Sequence, residues 1–198
     1  MKSRLVYAAA ENPAPENDPV YRWQHTLRVA NYGKELARLE GANTELVVAA
    51  CLLHDVAHFD PGAAKEHGRL GAELSRPLLL DLGYSSEEVE NICYSVASHV
   101  DVLNAETLEA KVVSDADNID RFGAYRVYQW CRDEMGNFEE LREKLEPRLE
   151  RLENYRRDGA ILETESGRAL FNRQLDLQIF FFKALLEERE LTVLPNSN

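Results

Sequence analysis

The segment NTELVVAACLLHDVAH, Asn43 to His58, constrains this chain more than any other. It opens on a helix-cap candidate, Asn43 or Thr44, and then presents apolar side chains almost all round. A helix of that kind has no polar face to turn to water, so it belongs at the centre of a packed structure. Its apolar run ends in His54 and Asp55, with His58 one turn later. Imidazoles and a carboxylate at the end of a buried helix carry a desolvation cost that some partner has to offset.

The flanking sequence is helical in pattern. Residues 11–19, ENPAPENDP, read as a loop or linker, and residues 1–19 as an N-terminal extension. Val20 to Gly41 repeats apolar residues at Val20, Trp23, Leu27, Ala30, Leu36 and Leu39, and Gly41 suits a helix end. HGRLGAELSRPLLLDLG predicts a helix stopping at Gly83, with Pro77 as a kink or a new start. Ser85 and Glu88 have capping-box spacing ahead of an apolar face of Val89, Ile92, Val96 and Val100. One helix or a pair covers AETLEAKVVSDADNIDRFGAYRVYQWC, and two amphipathic segments follow, Asn137–Arg157 and Glu165–Glu190. The run Ile179, Phe180, Phe181, Phe182 is expected to dock on the core or to form an interface. Strand alternation with hairpin turns is missing. The expected architecture is all-α, a single-domain helical bundle: residues 20–135 as the core, residues 136–198 as C-terminal helices packed on it.

Composition narrows the partners. Acidic residues outnumber basic ones by 35 to 23, a formal charge of −12. Such a surface repels nucleic-acid backbones and anionic membranes, so neither polymeric nucleic acid nor a membrane is an expected partner. A small phosphate ester is compatible, because a bound cation or a local arginine overrides the global field. Cys51, Cys93 and Cys131 are isolated and odd in number, which suggests buried thiols, not a disulfide framework or thiolate metal site. The N-terminal apolar stretch is shorter than a signal-peptide core and no segment suits a bilayer, so a cytoplasmic location is expected.

All five histidines, His25, His54, His58, His67 and His99, lie in the first hundred residues, at or near expected helix ends. Neutral imidazoles and carboxylates together suit divalent cations such as Zn²⁺, Mn²⁺, Fe²⁺ and Co²⁺. His54 and Asp55 diverge by about 100° on a helix. They can serve one ion from neighbouring faces, with Asp55 reaching toward a second. His54 and His58 share a face, yet this is not the HExxH helix of metalloproteases: Asp55 stands at the Glu position and no third-ligand pattern follows. Downstream, DADNID places Asp115, Asp117 and Asp120 in a segment with apolar flanks. Acids in a buried helix need cations or a metal.

The ordered set His25, His54–Asp55, His67, His99 and Asp117 resembles the H…HD…H…H…D signature of the HD-domain superfamily of metal-dependent phosphohydrolases. The contexts HTLRVA, ACLLHDVAHF, EHGRLGAELS, SVASHV and KVVSDADNID agree with it, and LETESGRALFNRQLDLQIFFFKALLEE resembles the tail of small bacterial HD hydrolases. The resemblance implies that His25, His54, Asp55 and Asp117 hold one divalent ion. His67 and His99 would hold a second, with Asp55 bridging. The metal would be Mn, Fe, Co, Ni, Mg or Zn, and it would activate hydroxide for attack on a small phosphorylated substrate of nucleotide type. Asp55 would be central to catalysis. His58 would donate a proton to the leaving group or line the mouth. Arg28, three residues after His25, would meet a substrate phosphate or form a surface ion pair. Asp115 and Asp120 become supporting or capping residues. Related small HD hydrolases often carry Arg after the fourth histidine and after DAD, where this chain has Val100 and Asn118. Two other readings share the ligand set: a di-iron oxygenase cleaving a C–C or C–P bond, and a non-catalytic module stabilised by metal. A homodimer is a further expectation.

Overall fold

The computed structural model describes residues 1–13, 18–63, 65–101, 105–134, 140–159 and 162–190, and these residues form helices and no strands. In chain order they are α1 (Lys2–Glu11), α2 (Pro19–Glu40), α3 (Thr44–Leu53), α4 (His67–Asp81), α5 (Ser86–Ser98), α6 (Leu108–Asp120), α7 (Ala124–Glu134), α8 (Leu141–Asp158) and α9 (Glu165–Glu190). The all-α reading holds. The chain divides into two compact units: Met1–Asp120 with Ile161–Gly167, and Arg121–Ala160 with Arg168–Asn198.

In the first unit, α3 packs against α2, α5 and α6, and α4 lies on α5. Val47, Ala50 and Cys51 of α3 are wholly buried, as a helix apolar on every side requires. Asn43 caps it, accepting from the amides of Glu45 and Leu46. Gly41 closes α2 in the left-handed region at φ 78°, which only a residue without Cβ adopts at no cost. Ser85 and Glu88 form the expected reciprocal capping box of α5. α4 runs through Pro77, so the proline leaves only the Glu73 carbonyl without its usual helical donor.

Two expectations need correction. Residues 2–11 are not an open extension but helix α1, with Leu5, Ala8 and Ala9 buried against Phe59 and packed beside Trp23. The buried face of α2 also differs: it carries His25, Thr26, Val29, Ala30, Gly33, Leu36 and Ala37, whereas Val20, Leu27 and Leu39 are exposed. Small residues allow α3 and α6 to approach that face closely, and this outweighs the larger apolar side chains elsewhere on the helix.

In the second unit, Phe122 stacks edge-to-face on Phe171 and Tyr155, and Trp130 on Phe182, with the Arg148 guanidinium over both of the latter rings. The phenylalanine run therefore splits: Phe182 is buried and Phe180 is 74% exposed. Asn137 lies outside the described residues, and α8 begins at Leu141. No helix among the described residues is long and apolar enough to cross a membrane.

Candidate metal centre

The first unit gathers His25 from α2, His54 and Asp55 from the end of α3, and Asp117 and Asp120 from α6 into one buried cluster. His54 and His99 are the C-caps of α3 and α5, and the chain uses the same device for both. Each ring turns back and its Nδ1 donates to the carbonyl three residues earlier, Cys51 and Val96 respectively, at 2.7 Å. A carbonyl only accepts, so in the neutral ring the proton sits on Nδ1 and Nε2 presents the lone pair. The Nδ1 of His25 donates to Asp120 Oδ2 at 2.7 Å, with the same result. The sequence offers Asp120 only as one acid among three; its place behind His25 comes from the fold.

Those lone pairs face one another. His25 Nε2 and His54 Nε2 are 3.2 Å apart, with Asp117 Oδ1 3.2 Å from the first and Asp55 Oδ2 3.2 Å from the second. His67 Nε2 and His99 Nε2 also stand 3.2 Å apart. Converging acceptors repel unless positive charge lies among them, so the arrangement fits a cation. The oxygens of Asp55 divide between the two pairs. Oδ2 faces His25 and His54 at 3.5 and 3.2 Å, while Oδ1 faces His67 and His99 at 3.5 and 3.9 Å. Donor atoms of His25, His54 and Asp55, and of Asp55, His58 and His67, lie within 4.8 Å of one another.

Gly68 brings the second pair together. A Cβ there would stand 2.7 Å from the Ala97 carbonyl oxygen and 3.0 Å from that of Val96. Glycine alone lets the start of α4 approach the end of α5, and this sets His67 against His99.

Electrostatics in the cluster follow its three carboxylates, Asp55, Asp117 and Asp120, against two guanidinium groups, Arg22 and Arg28. Burial opposes protonation of His25, yet Asp117, Asp120 and Asp55 raise its pKa well above the ordinary histidine range. His54 is raised too, burial being overcome by the Asp55 charge. Burial works against ionisation of Asp55 and Asp117, but the neighbouring histidines, with Arg22 beside Asp55, hold both below the ordinary range. His99 is pushed down to about 4 by burial and by His54. The cluster draws positive charge to the His25–His54 side.

The two arginines have different partners. Arg28 donates Nε and Nη2 to both oxygens of Asp120, at 2.6 and 3.0 Å, and so supports the carboxylate behind His25. Arg22, which the sequence reading missed, donates to Asp55 Oδ2 and to His58 Nε2, each at 2.7 Å. The available signal was symmetric: Arg22 precedes His25 by three residues as Arg28 follows by three, and both spacings fall on one helical face. Asp115 points elsewhere, accepting from the amides of Glu163 and Thr164 and from the Thr164 hydroxyl. The amide of Asn118 donates back to the Ser114 carbonyl within α6.

The HD domain family model matches residues 22–121. A deoxyguanosinetriphosphate triphosphohydrolase-like protein of Streptomyces coelicolor is 37% identical over 57 residues, 29% of this chain and 13% of that protein's length. Three solved structures share the fold. A predicted HD superfamily hydrolase from an uncultured Thermotogales bacterium has TM-score 0.65 and 22% identity over 95% of this chain and 92% of its own. Bacillus subtilis YpgQ in complex with ADP has TM-score 0.58 and 19% identity over 94% and 96%. An HD-superfamily hydrolase of Bacillus thuringiensis has TM-score 0.62 and 20% identity over 96% and 94%. At these identities the structural likeness carries the fold alone.

Proposed function

The chain belongs to the HD-domain family, and from that premise we propose that it is a metal-dependent phosphohydrolase acting on a small phosphorylated metabolite of nucleotide type. The observation that carries this reading is the pair of Nε2 lone pairs of His25 and His54, 3.2 Å apart and flanked by Asp55 and Asp117. In the proposal His25, His54, Asp55 and Asp117 hold one divalent ion, and His67 and His99 with Asp55 a second. A divalent ion held there supplies Lewis acidity and hydroxide near neutral pH.

The chain's own groups do the rest. Asp120 and the Cys51 and Val96 carbonyls hold the imidazoles in the ligating tautomer. Arg22 carries a permanent charge at the edge of the cluster, with a fifth of its side chain exposed, and its N–H fork suits the oxygens of a phosphoryl group. His58, 29% exposed, stands beside it at the edge of the cluster. In the proposal Arg28 holds Asp120 behind His25. The nucleotide class is supported by the Streptomyces relative and by the ADP complex of the Bacillus subtilis protein.

The test is phosphate or pyrophosphate release from nucleoside mono-, di- and triphosphates by metal-stripped protein given back Mn²⁺ or Co²⁺ without oxygen. Release that returns with the ion and disappears in Asp117→Ala supports the proposal. A coloured iron protein that consumes O₂ with substrate and releases no phosphate would replace it with the oxygenase reading. Metal binding without any turnover would leave the non-catalytic module.

A further inference from the structure

The second half of the cluster contains a donor that the H…HD…H…H…D pattern does not use. His58 Nδ1 is buried and has no hydrogen-bond partner, although the other face of the same ring is engaged. Its nearest charged neighbour is Asp55 Oδ1 at 3.4 Å, the oxygen that also faces His67 and His99. The His58 and His67 rings lie 5.2 Å apart and steeply inclined. An orphaned imidazole nitrogen beside a carboxylate oxygen that also faces two further imidazoles calls for an explanation.

Resting on the metal-dependent reading above, we propose that His58 is a ligand of the second cation through Nδ1, with His67, His99 and Asp55 Oδ1, and that Arg22 competes with that cation. The competition follows from hydrogen-bond roles. Guanidinium only donates, so the Arg22 contact keeps a lone pair on His58 Nε2 and leaves the proton of the neutral ring on Nδ1. Ligation through Nδ1 needs the other tautomer, with the proton on Nε2, and that proton faces the Arg22 donor. Arg22 therefore leaves His58 when the site fills. The cation also takes over part of the Asp55 charge that Arg22 now neutralises at Oδ2. A guanidinium freed in this way stands beside the cluster when a phosphorylated substrate arrives. This links filling of the second site to the readiness of the substrate-facing cation.

The experiment is an anaerobic titration of the metal-stripped full chain with Co²⁺, followed by visible absorption and equilibrium dialysis. Wild type is compared with His58→Ala, His58→Gln, His67→Ala and Arg22→Gln, and helical circular dichroism checks each fold. Wild type is expected to bind two ions. His58→Ala is expected to bind the first normally and the second at least about tenfold more weakly, as His67→Ala does, on the scale of a disturbed metal site. His58→Gln still accepts from Arg22 but lacks imidazole, and it is expected to match His58→Ala. Arg22→Gln is expected to tighten the second site. Unchanged binding of two ions by His58→Ala, or full recovery in His58→Gln, overturns the ligand assignment. Weaker or unchanged second-site binding in Arg22→Gln overturns the competition. A wild type that binds one ion overturns this inference alone, and one that binds none overturns the metal-dependent reading with it.

Discussion

The two histidine pairs have the same 3.2 Å spacing but different support. On the His25–His54 side both rings are buried and both Nδ1 atoms are tied, one to Asp120 and one to a helix carbonyl. Arg28 in turn holds Asp120 with two hydrogen bonds. On the other side His99 has the same backbone tie, whereas His67 opens α4 and is partly exposed, and His58 beside it is more so. The first pair is fixed before any cation arrives and the second is completed by a ring that must exchange partners. Preorganisation, not ligand count, is what separates them.

The largest break is to remove one member from each side. His54→Ala is expected to lower turnover by about 10²–10³-fold or more, the scale of losing an electrostatic group at a reacting centre. His67→Ala should cost less, with the first cation retained, as metal analysis alongside phosphate release will show. Equal losses would erase the distinction between the pairs.

Next is the support behind His25. Asp120→Asn keeps the shape, removes the charge facing Arg28 and His25, and should weaken the first cation by about 10–100-fold. Dialysis against buffered Mn²⁺ measures it, and the second site should change less. Gly68→Ala probes the opposite side. Its Cβ meets the Ala97 carbonyl at 2.7 Å, so α4 must move from α5, at about 1–3 kcal/mol of stability. Thermal unfolding should register that cost, and titration should show the second cation weakened with the first unchanged.

The smallest effect is a control remote from both pairs. Glu109 accepts from the Asn43 amide and from Asn91. Burial opposes its ionisation, but these bonds hold its pKa below the ordinary glutamate value of 4.5. A depressed carboxylate pKa adds stability that is present above that ordinary value and is lost as pH falls through the depressed one. Glu109→Gln should therefore lower the melting temperature slightly at neutral pH, converge with wild type in acid, and leave both cation affinities unchanged.

Local signals carried much of this architecture. The Asn43 cap, the Ser85–Glu88 box and the all-round apolar α3 could be read because each depends on residues within a turn or two. α1 has the helical spacing of Leu5, Ala8 and Ala9, but its apolar run is short and its burial depends on Phe59, some fifty positions away. What stayed hidden depends on contacts between distant segments. Arg22 reaches Asp55 across 33 positions, and Asp120 reaches His25 across 95. The bonds from His54 and His99 to carbonyls three residues back are local, yet backbone acceptors have no letter in a sequence. The resemblance to HD domains named the histidines; the fold supplied what orients them.

The central claim is that the facing lone pairs of His25 and His54 await a cation. Anomalous diffraction at the manganese edge, from crystals of the full chain soaked in Mn²⁺, tests it most directly. The account predicts a strong peak enclosed by His25 Nε2, His54 Nε2, Asp55 Oδ2 and Asp117 Oδ1. Saturating Mn²⁺ with no peak among those four atoms would contradict it.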